Sequence, residues 1–232
     1  GNDTFIGGLG DDTIYGGEVN GTVDTVDYTQ STDSVQVNID DSAHSVNGST
    51  LLANRAIDGL GGTDTIHEIE NVLGGAYDDV LLGSSETNRL EGKAGNDTIW
   101  GAEGADTLVG DAGDDVFFLD LADFSIDGGT DTDTLYTRYV NTDLTESGIV
   151  SISNIEVIDL SANAPGVGNT LVLNKTVVAA ITGATRTLDI DGEVGDSVFF
   201  EDYSDWTPGS VTGDDRVFTY NDGTYTFTVN VD

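Results

Sequence analysis

Five oxygen-bearing side chains recur at nine-residue intervals: Asp79, Asn88, Asp97, Asp106 and Asp115. A regular row of such side chains suits the holding of hard cations, which prefer carboxylate and carbonyl oxygens, better than acid–base work on one substrate. Each closes the turn of a nine-residue unit. The units are GGAYDDVLL, GSSETNRLE, GKAGNDTIW, GAEGADTLV and GDAGDDVFF, and they fill Gly74 to Phe118 without a break. Each opens with Gly and carries an apolar residue eighth: Leu81, Leu90, Ile99, Leu108 and Phe117. The fourth residue is Gly in the last three units, but Tyr77 and Glu86 in the first two. A flexible Gly/Asp linker would not hold such a register.

The elements that must position these residues follow from their types. The first six residues of a unit have to turn, because Gly takes positive φ cheaply and lets backbones approach closely. The last three, with a central apolar side chain, make a very short strand that turns this side chain inward. Two units complete one coil, so residues eighteen apart stack. Asp79, Asp97 and Asp115 then form one column, and Asn88 and Asp106 the opposite one. Neighbouring strands lie about 5 Å apart. Carboxylates at that spacing repel unless cations sit between successive turns, and six to eight hard oxygen ligands are what calcium prefers. The inward side chains are few per coil, so the ion is expected to be structural.

Composition agrees. The chain has 232 residues, 43 acidic and 7 basic, for a formal net charge of −36. The basic residues are scattered, so nucleic acid and anionic membranes are poor partners. Such a charge destabilises a compact state unless cations offset it, yet 37% hydrophobic residues exceed what simple disorder carries. There is no Cys, which removes disulfides and thiol catalysis. No apolar run has the length of a membrane span, so no membrane insertion is expected. Gly1 stands in mid-repeat, which points to a piece of a longer protein whose first residue says nothing about targeting.

Residues 1–15 repeat the pattern, with Asp3 and Asp12 sixth, and Asp24 extends it after a lengthened turn. VDTVDY and SVQVNI alternate as strands; residues 41–50 read as loop, and LLANRAI as strand or helical turn. The pattern returns with GLGGTDTI, where Asp64 is sixth. The expectation is one solenoid with an enlarged middle coil, residues 19–73, whose excess bulges as a surface loop. Leu82, Trp100 and Phe118 line one outer face, which calls for a cover; the C-terminal region is the expected one. After Phe118 the strict register is lost, and GGTDTDTLY (128–136) restores it with Asp133 sixth and Asp131 fourth. Beyond it, NKTVVAAI predicts a short helix capped by Asn174. VFTYNDGTYTFTVN predicts a hairpin turning at Asn221-Asp222-Gly223. Residues 1–136 are thus read as the roll, and residues 137–232 as a β-rich cap for its last coil.

With these residues in view, the chain resembles the RTX (repeats-in-toxin) portion of bacterial exoproteins exported by type I secretion, whose repeat G-G-x-G-x-D-x-U-x makes a calcium-binding parallel β-helix. The nonapeptides carry the resemblance over residues 1–15, 59–66, 74–118 and 128–136. Residues 62–84, 154–160 and 191–198 look like segments of large RTX adhesins. The resemblance implies an all-β, calcium-loaded parallel β-roll, unfolded at low cytosolic calcium and folded outside the cell, secreted or at the bacterial surface. It implies several calcium ions held by Asp3, Asp12, Asp24, Asp64, Asp79, Asn88, Asp97, Asp106, Asp115 and Asp133. Turn carbonyls complete the shells, from Gly8, Gly10, Gly74, Gly92, Gly95, Gly101, Gly104, Gly110, Gly113, Gly128 and Asp131. Where Asn88 is neutral and Gly is absent at Tyr77 and Glu86, the first site of the column is expected to be weak or empty.

Two other classes were weighed. As an enzyme the chain offers only His44 and His67, far apart, and His67-Glu68-Ile69-Glu70-Asn71 lacks the second His of a zinc-protease helix. No catalytic residues are expected, although the parent protein could be an enzyme whose RTX region this is. As a binding module it offers Phe199, Phe200, Tyr203, Trp206, Tyr220 and Tyr225, which could stack a glycan or simply pack the cap. The reading preferred is a structural, calcium-dependent folding module of an extracellular protein, most plausibly an adhesin. It reaches the type I secretion apparatus through its parent, and a cell-surface or glycan ligand belongs to the alternative, a carbohydrate-binding module.

Overall fold

The computed structural model describes residues 1–17, 21–46, 49–120, 122–137, 141–145, 151–160, 168–183, 186–192, 196–212, 215–221 and 226–231. Two sheets built from very short strands face each other. One holds Thr4–Phe5, Thr25–Asp27, Asn71–Leu73, Arg89–Ala94, Thr107–Ala112, Ser125–Thr130 and Ser151–Ser153, all paired parallel. The other has thirteen strands, and its regular part runs Val80–Leu82, Thr98–Trp100, Val116–Leu119, Thr134–Thr137, Val157–Asp159 and Thr187–Asp191. The chain alternates between the sheets, one strand per nine-residue unit, which is a parallel β-roll.

Register follows the eighteen-residue stack. Leu81, Ile99, Phe117 and Leu135 align in one apolar column, and Leu90, Leu108 and Ile126 in the other. All seven are at most 1% exposed and form the thin core between the sheets. The strand register is not lost after Phe118, contrary to the expectation from sequence: Ile126 pairs with Leu108. What is lost there is the turn chemistry, since Leu119 replaces the opening Gly and exposed Phe124 the sixth-position Asp.

The enlarged coil is not a surface loop. Gln36–Asn38 pairs with Val80–Leu82, then Arg55–Ile57 pairs antiparallel with Gln36–Asn38 and with Thr63–His67. The excess residues are therefore woven into the second sheet as a reversed strand. Its hairpin, His44–Val46 with Ser49–Leu51, folds over the outer apolar stripe. Val46 and Leu51, both 4% exposed, pack with Leu82, Ala102, Trp100 and Phe118. The cover thus comes from the enlarged coil rather than from the C-terminal region, because the hairpin leaves the sheet beside that stripe.

Past Thr137 a third side appears, the parallel strands Asn141–Asp143, Thr170–Leu173 and Ser197–Phe200. A helix, Lys175–Ile181, follows Asn174, whose Oδ1 accepts from the Val177 N–H at 3.0 Å. Asp215–Asn221 and Thr226–Val231 form the expected hairpin, and Thr226–Val231 continues the long sheet beside Thr187–Asp191. The predicted turn at Asp222-Gly223, and Tyr225, lie outside the described residues. Phe200 and Trp206 are buried with tilted rings 4.7 Å apart, Phe218 and Tyr220 pack against them, and Phe199 and Tyr203 are exposed.

Candidate metal centre

The turns between strands bring the sixth-position residues into two internal rows. Along one, the Asp79 N–H donates to Asp97 Oδ1 at 2.8 Å, Asp97 to Asp115 at 2.8 Å, and Asp115 to Asp133 at 2.9 Å. Along the other, the Asp3 N–H donates to Asp24 Oδ1, and the Asn88 N–H to Asp106 Oδ1, each at 2.7 Å. One carboxylate oxygen of each residue therefore ties its coil to the one before, a bond that an eighteen-residue repeat copies without change.

The second oxygen has no such partner. Oδ2 of Asp97, Asp106, Asp115 and Asp133 is buried without a hydrogen bond, in side chains at most 1% exposed. Each faces the opening glycine of its own unit. A Cβ on Gly92 would lie 2.0 Å from Asp97 Oδ2, and one on Gly101 2.3 Å from Asp106 Oδ2. One on Gly110 would meet Asp115 Oδ2 at 2.0 Å and the Gly128 carbonyl at 2.4 Å. One on Gly128 would meet Asp133 Oδ2 at 2.4 Å and the Asn154 carbonyl at 1.9 Å. Gly110 and Gly128 thus mark places where a carboxylate oxygen and a backbone carbonyl converge. The fourth-position glycines Gly95, Gly104 and Gly113 are left-handed and pass close to carbonyls of Tyr77, Glu86 and Gly95. At position 131 Asp takes that conformation instead, with φ of 85° and an exposed side chain.

Burial dominates the electrostatics. It pushes Asp97 and Asp133 up to about 8, Asp106 to about 7 and Asp115 to about 6, with neighbouring carboxylates adding to the rise and the row hydrogen bonds opposing it. Asp64 and Asp79 are raised by the same cause. The described ion pairs involve other carboxylates, such as Glu91 and Asp111 with Lys93. A buried carboxylate with one orphaned oxygen is costly until a proton or a cation meets it. Among the described residues, no three acidic or imidazole side chains converge on one point, so further ligands in a row must be carbonyls. That donor set, oxygen only, fits calcium.

Elsewhere the predicted ligands differ. Asp24 is fully buried, and Asp12 Oδ2 is buried without a partner. Asp3 is exposed, and Gly8 and Gly10 have open space where a Cβ would sit, because they belong to the outermost coil. Asp79 has both oxygens hydrogen-bonded, Oδ1 to the Val35 N–H and Oδ2 to the Gly75 N–H. Asn88 is used up too: Oδ1 accepts from Ser84 and Nδ2 donates to the Glu70 carbonyl. The structure adds residues that the repeat did not name. Glu70 Oε2 takes the Asp24 N–H at 2.7 Å and Glu156 Oε2 the Asp133 N–H at 3.1 Å, so both continue the rows. Glu70 was findable, since it stands eighteen residues before Asn88; Glu156 falls after a longer coil and off the period. Asp123, 4% exposed with Oδ1 unpartnered, sits near Asp106 and is pushed up to about 8 by burial.

A family profile described as the RTX calcium-binding nonapeptide repeat matches this chain in four copies, over residues 1–23 and 82–117. The nonapeptides of these two stretches match the RTX repeat. Three of the buried, orphaned Oδ2 atoms, on Asp97, Asp106 and Asp115, fall within the second stretch, and the strand-rich parallel architecture is consistent with an RTX roll. The stack runs past the matched RTX copies through Asp133 to Glu156. No match to the chain is found among curated proteins. Among the described residues, no helix is long and apolar enough to cross a membrane.

Proposed function

We infer that this chain is a non-catalytic, calcium-dependent folding module of an extracellular bacterial protein that leaves the cell by type I secretion, most plausibly an adhesin. The observation that carries the reading is the set of four fully buried carboxylate oxygens without partners, each beside an opening glycine. Calcium supplies the positive charge that these rows lack. The chain's own residues do the rest. Each Oδ1 fixes coil-to-coil register through a backbone N–H, each glycine keeps the ligand space clear of side chains, and the eighth-position residues close the core. Without a cation the rows repel, and the core is only one side chain wide per strand. Folding is then withheld in the cytosol and released outside it. The adhesin assignment rests on the resemblance of residues 62–84, 154–160 and 191–198 to adhesin segments.

The test is a calcium titration of chelated protein followed by circular dichroism. A midpoint of about 10⁻⁴–10⁻³ M, the range of extracellular calcium modules, supports secretion-coupled folding. A midpoint below a micromolar would contradict it, because the module would already fold inside the cell.

A further inference from the structure

The reversed strand Arg55–Ile57 ends at Asp58, a residue outside the nonapeptide register and four positions before Gly62. In the repeats, the opening glycine precedes its aspartate by five residues, as in Gly74 and Asp79. A Cβ on Gly110, five residues before Asp115, would meet the unpartnered Asp115 Oδ2 at 2.0 Å and the Gly128 carbonyl at 2.4 Å. At Gly62 the same pair of oxygens comes together with the chain running the other way. A Cβ there would meet the Gly10 carbonyl at 2.1 Å and Asp58 Oδ2 at 2.7 Å.

Asp58 is built into this place. It is 1% exposed, its Oδ1 accepts from the Leu60 and Gly62 N–H groups at 2.8 Å each, and its carbonyl accepts from Ser31 Oγ at 2.5 Å. Its Oδ2 is buried and unpartnered. Two more carboxylates lie near enough to interact: Asp58 and Asp12 both add to the burial that raises Asp64, and a Cβ on Gly7 would lie 2.7 Å from Asp64 Oδ2 and 3.4 Å from Asp12 Oδ2, the latter also unpartnered. The only side-chain donor described on this group is the Tyr28 hydroxyl, 3.2 Å from Asp64 Oδ2. Asp58, Asp64 and Asp12 raise the Tyr28 phenol further beyond what its burial does, which places all three charges around one buried ring. Among the described residues, no Lys, Arg or His pairs with any of them.

We propose that Asp58 Oδ2 and the Gly10 carbonyl hold an additional calcium ion, at the junction where the enlarged coil reverses the chain and interrupts the repeat rows. This site extends the calcium reading of the repeats and rests on it. It bridges the first coil to the inserted strand, two segments that the nonapeptide register does not connect.

Crystals of the calcium-loaded chain, with anomalous differences collected at long wavelength, test it directly. The expected result is a peak about 2.3–2.6 Å from both Asp58 Oδ2 and the Gly10 oxygen, in addition to peaks along the rows. Occupied rows with no peak at Gly62 overturn the added site alone, whereas empty rows overturn the calcium reading as well. In solution, Asp58→Asn keeps the turn-forming oxygen. It should lower the calcium bound per chain by one ion in equilibrium dialysis with metal analysis, while Asp97→Asn leaves that ion in place. An unchanged count in Asp58→Asn would overturn the proposal.

Discussion

Asp97 carries two oxygens with opposite requirements, and a single isosteric change separates them. In Asp97→Asn the Oδ1 that accepts the Asp79 N–H remains, while the charge at the orphaned Oδ2 goes. Calcium-loaded protein should lose about 2.7 kcal/mol if the wild-type site is held at a hundredfold excess over its dissociation constant. Chelated protein should be no less stable, since a buried charge without a partner has been removed. Urea unfolding with calcium checks the first sign, and circular dichroism of the chelated protein, which should hold no less strand than the wild type, checks the second. Proton linkage gives a second test. Folded Asp97 and Asp133 are pushed up to about 8 in the ion-free rows, against about 3.9 for an unfolded Asp. The folded state therefore holds these protons more tightly. The stabilisation is full below about pH 4 and is lost as pH rises to about 8. The EGTA-treated chain should show more strand signal in circular dichroism at pH 5 than at pH 9, and a flat profile would contradict the burial of these groups.

At the scale of elements, two kinds of glycine should respond differently. Gly110→Ala puts a methyl between Asp115 Oδ2 and the Gly128 carbonyl, at 2.0 and 2.4 Å. It should weaken calcium binding at least tenfold by titration calorimetry. Gly8→Ala meets nothing within 4 Å but must hold φ of 91°, so it should cost about 1–2 kcal/mol of stability with affinity little changed. The covering hairpin is tested by Leu51→Ala, which should cost about 2–3 kcal/mol and alter the emission of Trp100 beneath it. No loss of stability would mean that the hairpin does not seal the stripe. Regular coils were legible because each strand, turn and ligand repeats after eighteen residues, so Asp97 announces Asp115. The enlarged coil was not, because Val37 opposite Ala56 is an antiparallel pairing across distant segments that a local alternation of apolar residues cannot specify. For the same reason Asp58 escaped notice: its role comes from a strand reversal, and no nine-residue window contains Gly10.

Over the whole molecule, one long sheet carries the roll into the C-terminal strands, from Val116–Leu119 through Val157–Asp159 and Thr187–Asp191 to Thr226–Val231. Among the described residues, the rows of buried carboxylates run inside the part with short coils. Beyond Glu156 the coils lengthen, gain a third side and bury larger side chains such as Phe200 and Trp206, so this end depends less on cations. The central claim is that cations decide whether the acidic rows are folded, and small-angle scattering of the same sample with calcium and after EGTA dialysis tests it most directly. The expected result is a large reversible expansion on chelation, towards the radius of gyration of about 50 Å of an unfolded chain this long. An EGTA-dialysed chain at neutral pH that stays as compact as the calcium-loaded one would contradict it.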